Sequence, residues 1–110
     1  MSDGLITYEE FAKLDLRVGT VRSAERVEGS NKLLKLLVDL GEEFPRQILA
    51  GIGKAYLPNE LVDTQIIVIA NLEPRMLMGI ESQGMLLAAG DGTPTLLRPA
   101  TLVEPGSNIH

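Results

Sequence analysis

Cysteine is absent from the 110-residue chain, which excludes disulfides, thiolate zinc sites and cysteine nucleophiles. Histidine occurs once, as His110 at the last position, where chain ends are usually mobile. Neither a catalytic imidazole nor a histidine metal cluster is expected from it. Aromatics are few: Tyr8, Phe11, Phe44 and Tyr56 are all there are. The longest aliphatic run, Ile66 to Ala70, is far short of the roughly 20 residues that a membrane span needs. Met1-Ser2-Asp3-Gly4 offers no basic patch or apolar core of an export signal, so the cytoplasm is the expected compartment. With these groups missing, no catalytic residue, metal ligand or cofactor is expected.

Positive charge is also scarce, with ten Lys and Arg against fifteen Asp and Glu for a net charge of -5. A generic nucleic-acid binder carries a broad basic field, and this chain does not. The distribution matters more than the sum. Five of the acids (Asp3, Glu9, Glu10, Asp15 and Glu104) lie near the ends, leaving nine basic against ten acidic residues between Arg17 and Pro99. A local basic face fits within that stretch; a strong non-specific grip does not. The 45% apolar content and the length suit one compact domain over residues 1–110, burying roughly two-thirds of its unfolded surface.

Thr7-Tyr8-Glu9-Glu10 has the form of a capping box, and Phe11 and Leu14 are apolar anchors for a short helix over residues 8–13. From Leu16 to Val27 the residues alternate as in a strand, with Gly19 marking a bulge or bend. Glu28-Gly29-Ser30-Asn31 is a turn. Lys32 to Leu40 fits two periods: Leu33, Leu36, Leu37 and Leu40 at helical spacing, or Leu34, Leu36, Val38 and Leu40 at strand spacing. A hairpin turn over 41–44 leads into a strand from Pro45 to Ile52. Pro58 to Leu61 reads as a helical turn plugging one end of the fold. Gln65 to Asn71 is β-branched and nearly continuous, so burial on both faces is expected. Gly84 to Ala89 is a further strand, and Thr95 to Arg98 begins a last β segment after the Asp91-Gly92 turn. Short strands divided by Gly, Pro and Asn turns indicate an all-β barrel or sandwich.

Several blocks then resemble a known family. They are Asp15-Leu16-Arg17-Val18-Gly19, Gly29-Ser30-Asn31-Lys32-Leu33-Leu34-Lys35-Leu36, Val38-Asp39-Leu40-Gly41 and Ala50-Gly51-Ile52 with Tyr56. Ala70-Asn71-Leu72-Glu73-Pro74-Arg75 and Ser82-Gln83-Gly84-Met85-Leu86-Leu87-Ala88-Ala89 complete the set. In order and spacing the chain resembles the tRNA-binding domain at the C-terminus of many methionyl-tRNA synthetases, also known as a free-standing dimeric tRNA-binding protein. The resemblance implies a five-stranded OB-fold barrel with a short N-terminal helix and a C-terminal β extension used in dimerisation. It also selects the strand period for Lys32 to Leu40, together with the bracketing Gly29 and Gly41. Asn31 stands where the family usually has Asp, which removes one negative charge.

The tRNA contacts that the resemblance implies are Asn31, Lys32, Lys35, Arg46, Arg75, Ser82 and Met85. Strands two and three of an OB barrel build its nucleic-acid face, where Lys32, Lys35 and Arg46 fall. Arg75 is a planar fork suited to a phosphate. Ser82 can donate to a phosphate or 2′-hydroxyl, and Met85 can touch a sugar or base. Plainer readings stand beside these. The cations also suit a solvated strand face, Ser82 a turn, Met85 the core, and Met76 and Met78 the core or a subunit interface. Gly51-Ile52-Gly53-Lys54 is too short for a phosphate-binding P-loop and reads as a turn, and Glu42-Glu43 reads as a solvated turn. The scarcity of aromatics argues against single-strand binding by stacking and for recognition of folded RNA by shape. The expected partners are tRNA, a second copy and a methionyl-tRNA synthetase catalytic domain. The competing expectation is a dimeric secretion-type chaperone of the same fold.

Overall fold

A computed structural model of the chain describes residues 3–110. Its framework is one long, bent strand. In β1 (Leu16–Arg26) the first half, Leu16 to Thr20, pairs antiparallel with β4 (Gln65–Ile69), and the second half, Thr20 to Arg26, pairs with β2 (Leu34–Asp39). β3 (Arg46–Ala50) flanks β2, and β7 (Met85–Leu86) flanks β4, giving the antiparallel order β3-β2-β1-β4-β7. The bulge in β1 lies between Val21 and Ser23 rather than at Gly19. Gly19 serves close packing instead: a Cβ there would lie 2.4 Å from Val38 Cγ1 and 2.8 Å from Leu40 Cδ2.

The barrel is filled by Val21, Leu34, Leu36, Val38, Leu40, Ile48, Leu61, Ile66 and Val68, all essentially inaccessible. Leu34, Leu36, Val38 and Leu40 point inward at alternate positions while Leu33 and Leu37 are only half-buried, so the period of two prevails. Burying each such side chain contributes roughly 1.5–3 kcal/mol, far more than local helix propensity. β4 shows alternation too: Ile67 and Ile69 are half-buried, so the strand is fully buried on one face only. α2 (Pro58–Leu61) plugs the barrel end with Leu61, its start held by the Leu57 amide donating to Glu60 Oε1 at 2.6 Å.

The last barrel seam, between β3 and β7, is closed largely by side chains. The Gln83 amide donates to the Gln47 carbonyl, and the Gln47 amide to Gln83 Oε1. The Leu49 amide donates to Ser82 Oγ at 3.0 Å, which in turn donates to the Gly84 carbonyl. Before this seam lies a hairpin that the sequence did not announce, β5 (Arg75–Leu77) and β6 (Ile80–Ser82). Its turn residues Met78 and Gly79 have φ of 50° and 78°, the primed geometry that matches strand twist. The expected strand over 84–89 divides in two, because β8 (Ala88–Ala89) leaves the barrel to pair with β9 (Thr95–Leu96).

α1 (Tyr8–Ala12) has the complete capping box, with the Glu10 amide donating to Thr7 Oγ1 at 3.1 Å and the Thr7 amide to Glu10 Oε1 at 2.8 Å. It ends one residue before the expected limit, with Lys13 as its C-cap. None of its residues is buried and Leu14 is 42% exposed, so Phe11 and Leu14 do not anchor it in the core. The C-terminal tail lies along β1 of its own barrel. The Gly106 amide donates to Val18 O at 2.7 Å, Val18 N to Ser107 O, and Ile109 N to Leu16 O. It thereby covers the half of β1 that β2 leaves unpaired. No helix among the described residues is long and apolar enough to cross a membrane.

Candidate nucleic-acid interface

The β1–β2 turn is rigid for local reasons. Gly29 adopts φ 87°, and Ser30 Oγ accepts from the Leu33 amide at 3.0 Å and the Lys32 amide at 3.3 Å. Asn31 and Lys32 are exposed on this turn. The loop after β3 is clipped to it: the Gly53 amide donates to Lys32 O at 2.6 Å, and Arg26 Nη1 to Gly53 O at 2.9 Å. A Cβ at Gly53 would sit 2.8 Å from Lys32 O, so glycine is needed for this approach. The docking brings Lys54 beside Lys32 along one hollow, and Arg26 beside Lys54 along the next. On the other side of Lys32 runs a groove of about 480 Å³, lined by Ser30, Lys32, Arg75, Leu77, Met78 and Met85 among others.

Charge pairing divides the cations. Arg17 pairs with Asp15 at 2.9 Å, Arg22 with Asp39 at 3.0 Å, Lys35 with Glu25 at 3.8 Å and Arg46 with Glu42 at 2.9 Å. Among the described residues Arg26, Lys32, Lys54 and Arg75 have no carboxylate within ion-pair distance, nor do Lys13 and Arg98. Lys32 and Arg75 line the groove, Lys32 and Lys54 the hollow beside it, and Arg26 and Lys54 a third hollow that also holds Glu60. A net acidic protein thus presents a small cationic strip not neutralised by carboxylates, although Arg26 already gives one donor to the Gly53 carbonyl.

The expected contact residues therefore separate. Lys32, Arg75 and Met85 line the groove, with Met85 42% exposed rather than in the core, while Asn31 is exposed on the adjoining turn but does not line it. Met76 and Met78 are likewise exposed, at 65% and 56%, not core filling. Lys35 lies on the outer face of β2, held by Glu25. Arg46 is committed to the seam: it forks onto Glu42 with two bonds of 2.9 Å and donates to the carbonyls of Ala70 and Gln83. The hollow it lines also holds Glu42 and Glu43, a poor setting for phosphate. Ser82 is 5% exposed with its hydroxyl engaged as donor and acceptor, and it lines a small hollow beside Arg75 and Met85 rather than the groove itself. Arg26 and Lys54 are neighbouring cations that the sequence did not single out. Their only signal was Gly53, whose role depends on the carbonyl it meets.

The carboxylates carry a pH prediction. Asp39 is held below its ordinary 3.8 by the Gly41 amide and then Arg22, and Glu42 below its ordinary 4.5 by hydrogen bonding to Arg46. The folded state therefore binds fewer protons than the unfolded chain beneath those values. Stability is expected to be level above about pH 5 and lost as pH falls through the lowered values. Thermal unfolding across that range checks this, and Asp39→Asn should remove part of the loss. A Tm unchanged down to about pH 3 would contradict it.

The sequence model of putative tRNA-binding domains matches residues 16–108. A methionine–tRNA ligase of Methanocella arvoryzae is 52% identical over 105 residues, covering 96% of this chain and 15% of the ligase. One of Methanothrix thermoacetophila is 55% identical over 107 residues, covering 96% and 16% respectively. The chain thus spans under a fifth of the curated relatives it matches. A solved MetRS-related protein from Pyrococcus horikoshii superposes with a TM-score of 0.88 at 35% identity, both chains covered in full. The chaperone CsaA from Bacillus anthracis gives 0.88 at 32% identity, covering 97% of this chain and 100% of that one. Since the family match runs from the first residue of β1 to the tail that pairs with it, the chain belongs to the family of putative tRNA-binding domains.

Proposed function

We propose that residues 1–110 form a non-catalytic module that binds the outside of folded tRNA through the groove and strip around Lys32, and works as a homodimer. It serves as the C-terminal or β component of a methionyl-tRNA synthetase, or as a free-standing tRNA-binding protein, in the cytoplasm. One observation carries the reading: Lys32, Lys54 and Arg75 line two adjoining hollows without carboxylate partners, while Arg17, Arg22, Lys35 and Arg46 are ion-paired. Cations left without carboxylates on an otherwise acidic protein favour a polyanion at this place over non-specific binding elsewhere on the surface. Asn31, Lys32, Arg75 and Met85 make the contacts, Arg26 and Lys54 extend them, Lys35 flanks them, and Arg46 and Ser82 hold the barrel wall behind. Attached to a synthetase, such a module raises the effective tRNA concentration at a catalytic site carried elsewhere.

The pairing of two copies is supported by apolar side chains left outside the core: Leu5, Ile6, Tyr8 and Leu102 are 74%, 65%, 77% and 78% exposed. A symmetric dimer would cover such surface and double the RNA contact area. Sedimentation at micromolar concentration is expected to read twice the 11.9 kDa chain. Binding of unfractionated tRNA should weaken with salt, with a log–log slope of about -3 per groove for four phosphate contacts. A salt-independent complex, or none, would remove the proposal. The likeness to the chaperone CsaA favours a second reading, a holder of unfolded protein. Suppressing aggregation of an unfolded client, without competition from tRNA, would favour it.

A further inference from the structure

We infer that the groove between the β1–β2 turn and the β5–β6 hairpin takes a single unstacked nucleobase, packed on Met78 and Met85, with the adjoining phosphates on Lys32 and Arg75. The inference rests on the tRNA-binding reading and names the part of the RNA that this site selects. The groove's volume, about 480 Å³, falls within the roughly 300–1,000 Å³ typical of small-ligand sites. Its lining is divided by chemistry: Leu33, Leu77, Met78, Met85 and Leu86 are apolar, while Lys32 and Arg75 are cations without carboxylate partners. Phosphate and ribose alone gain nothing from thioethers. A flat, apolar body joined to an anion satisfies both halves. Bases within an RNA helix are stacked and out of reach, so the occupant comes from a loop or bulge where a base is splayed out. Such modules normally supply aromatic side chains, and none of the chain's four aromatics lines this groove. Methionine sulfur is polarizable and makes favourable contacts with ring faces and edges.

Met78 is the most telling residue. It occupies the hairpin tip at φ 50°, where glycine, asparagine or aspartate is the ordinary choice. It is also 56% exposed, so folding gains little from its side chain while bearing the backbone strain. Opposite it, Gly29 lacks a Cβ that would stand 3.3 Å from Met78 Cε. The two turns therefore leave room for this methyl at the mouth of the groove. A side chain that is unfavourable on both conformational and solvation grounds is accounted for by a ligand that covers it.

The test uses the 110-residue chain with methyl-labelled methionine, followed by NMR. Nucleoside 5′-monophosphates are expected to shift the Met78 and Met85 methyl signals, ribose 5-phosphate to leave them in place, and Met76 to stay constant. With unfractionated tRNA, the same two methyls should show contacts to base protons. Met78→Asn relieves the left-handed strain and is expected to raise Tm by roughly 4 °C. It should also weaken tRNA binding about fivefold to tenfold without altering the salt slope. Met85→Ala should act on binding likewise. If tRNA binds while both methyls and both variants behave as unliganded or wild type, the base site is wrong and the tRNA reading stands. If wild type binds no tRNA, both fail. If an acidic, leucine-containing peptide moves these methyls and nucleotides do not, the groove is a peptide site and the inference is overturned.

Discussion

Lys32→Glu combined with Arg75→Glu is expected to weaken binding of unfractionated tRNA by at least about 100-fold, roughly 2.7 kcal/mol. Each change removes a cation from the rim of the groove and installs a charge that phosphate repels. The double variant moves the net charge from -5 to -9, since each reversal adds two negative units. A matched control therefore matters. Lys13→Glu with Arg22→Glu reaches the same -9. Lys13 is the C-cap of α1, and Arg22 is occupied by Asp39. The control should bind within about threefold of wild type if position decides, whereas a whole-molecule field would penalise both pairs alike. All four residues are at the surface, where substitutions usually move stability by under about 0.5 kcal/mol, with an ion pair such as Arg22–Asp39 worth up to roughly 1 kcal/mol. Filter binding at fixed salt, alongside circular dichroism, reads the comparison. Equal losses in the two variants would remove Lys32 and Arg75 from the contact set.

The largest effect on stability is expected at Gly106. A Cβ there would lie 2.2 Å from Leu40 O and 2.8 Å from Leu40 C, and φ is 88°, so neither space nor backbone admits alanine. The obstacle is main chain, which cannot rotate aside as a side-chain end can. Gly106→Ala is expected to cost about 2–4 kcal/mol and lower Tm by roughly 10–20 °C. Peeling the tail away would free the Val18 amide and carbonyl at an open sheet edge, so aggregation on heating should increase. Gly92→Ala is the control, since nothing lies within 4 Å of its added Cβ; its Tm should stay close to wild type. A Gly106→Ala protein as stable as Gly92→Ala would mean that the tail is not held by these main-chain contacts.

Within the proposed binding surface, legibility followed the range of the interaction. Lys32, Arg75 and Met85 line one groove, Lys32 presented by the β1–β2 turn, Arg75 by the β5–β6 hairpin and Met85 by β7. Arg46 and Ser82 look no different in sequence, yet one is spent on Glu42 and two carbonyls and the other on the Leu49 amide and Gly84 carbonyl. Hydroxyl and guanidinium groups serve a seam or a phosphate equally well, and only their neighbours decide. Arg26 and Lys54 entered through the Gly53–Lys32 contact, which joins residues on different loops. The β5–β6 hairpin was hidden because methionine occupies a turn position normally marked by asparagine or glycine.

From its amino acids alone, this chain could be placed as an all-β barrel or sandwich without cysteine or usable histidine chemistry, with a capped N-terminal helix and a plug at Pro58–Leu61, the family resemblance choosing the barrel. Those properties depend on composition, on periodicity and on contacts a few residues apart, which any sequence carries on its face. The closed fold bears out the strand period that the resemblance and the bracketing glycines had selected for Lys32 to Leu40. What it alone settled were the cations that remain unpaired and the strand edge that the tail covers. Each depends on which distant groups are brought within a few ångströms, and that is a property of the packed barrel rather than of any segment in it.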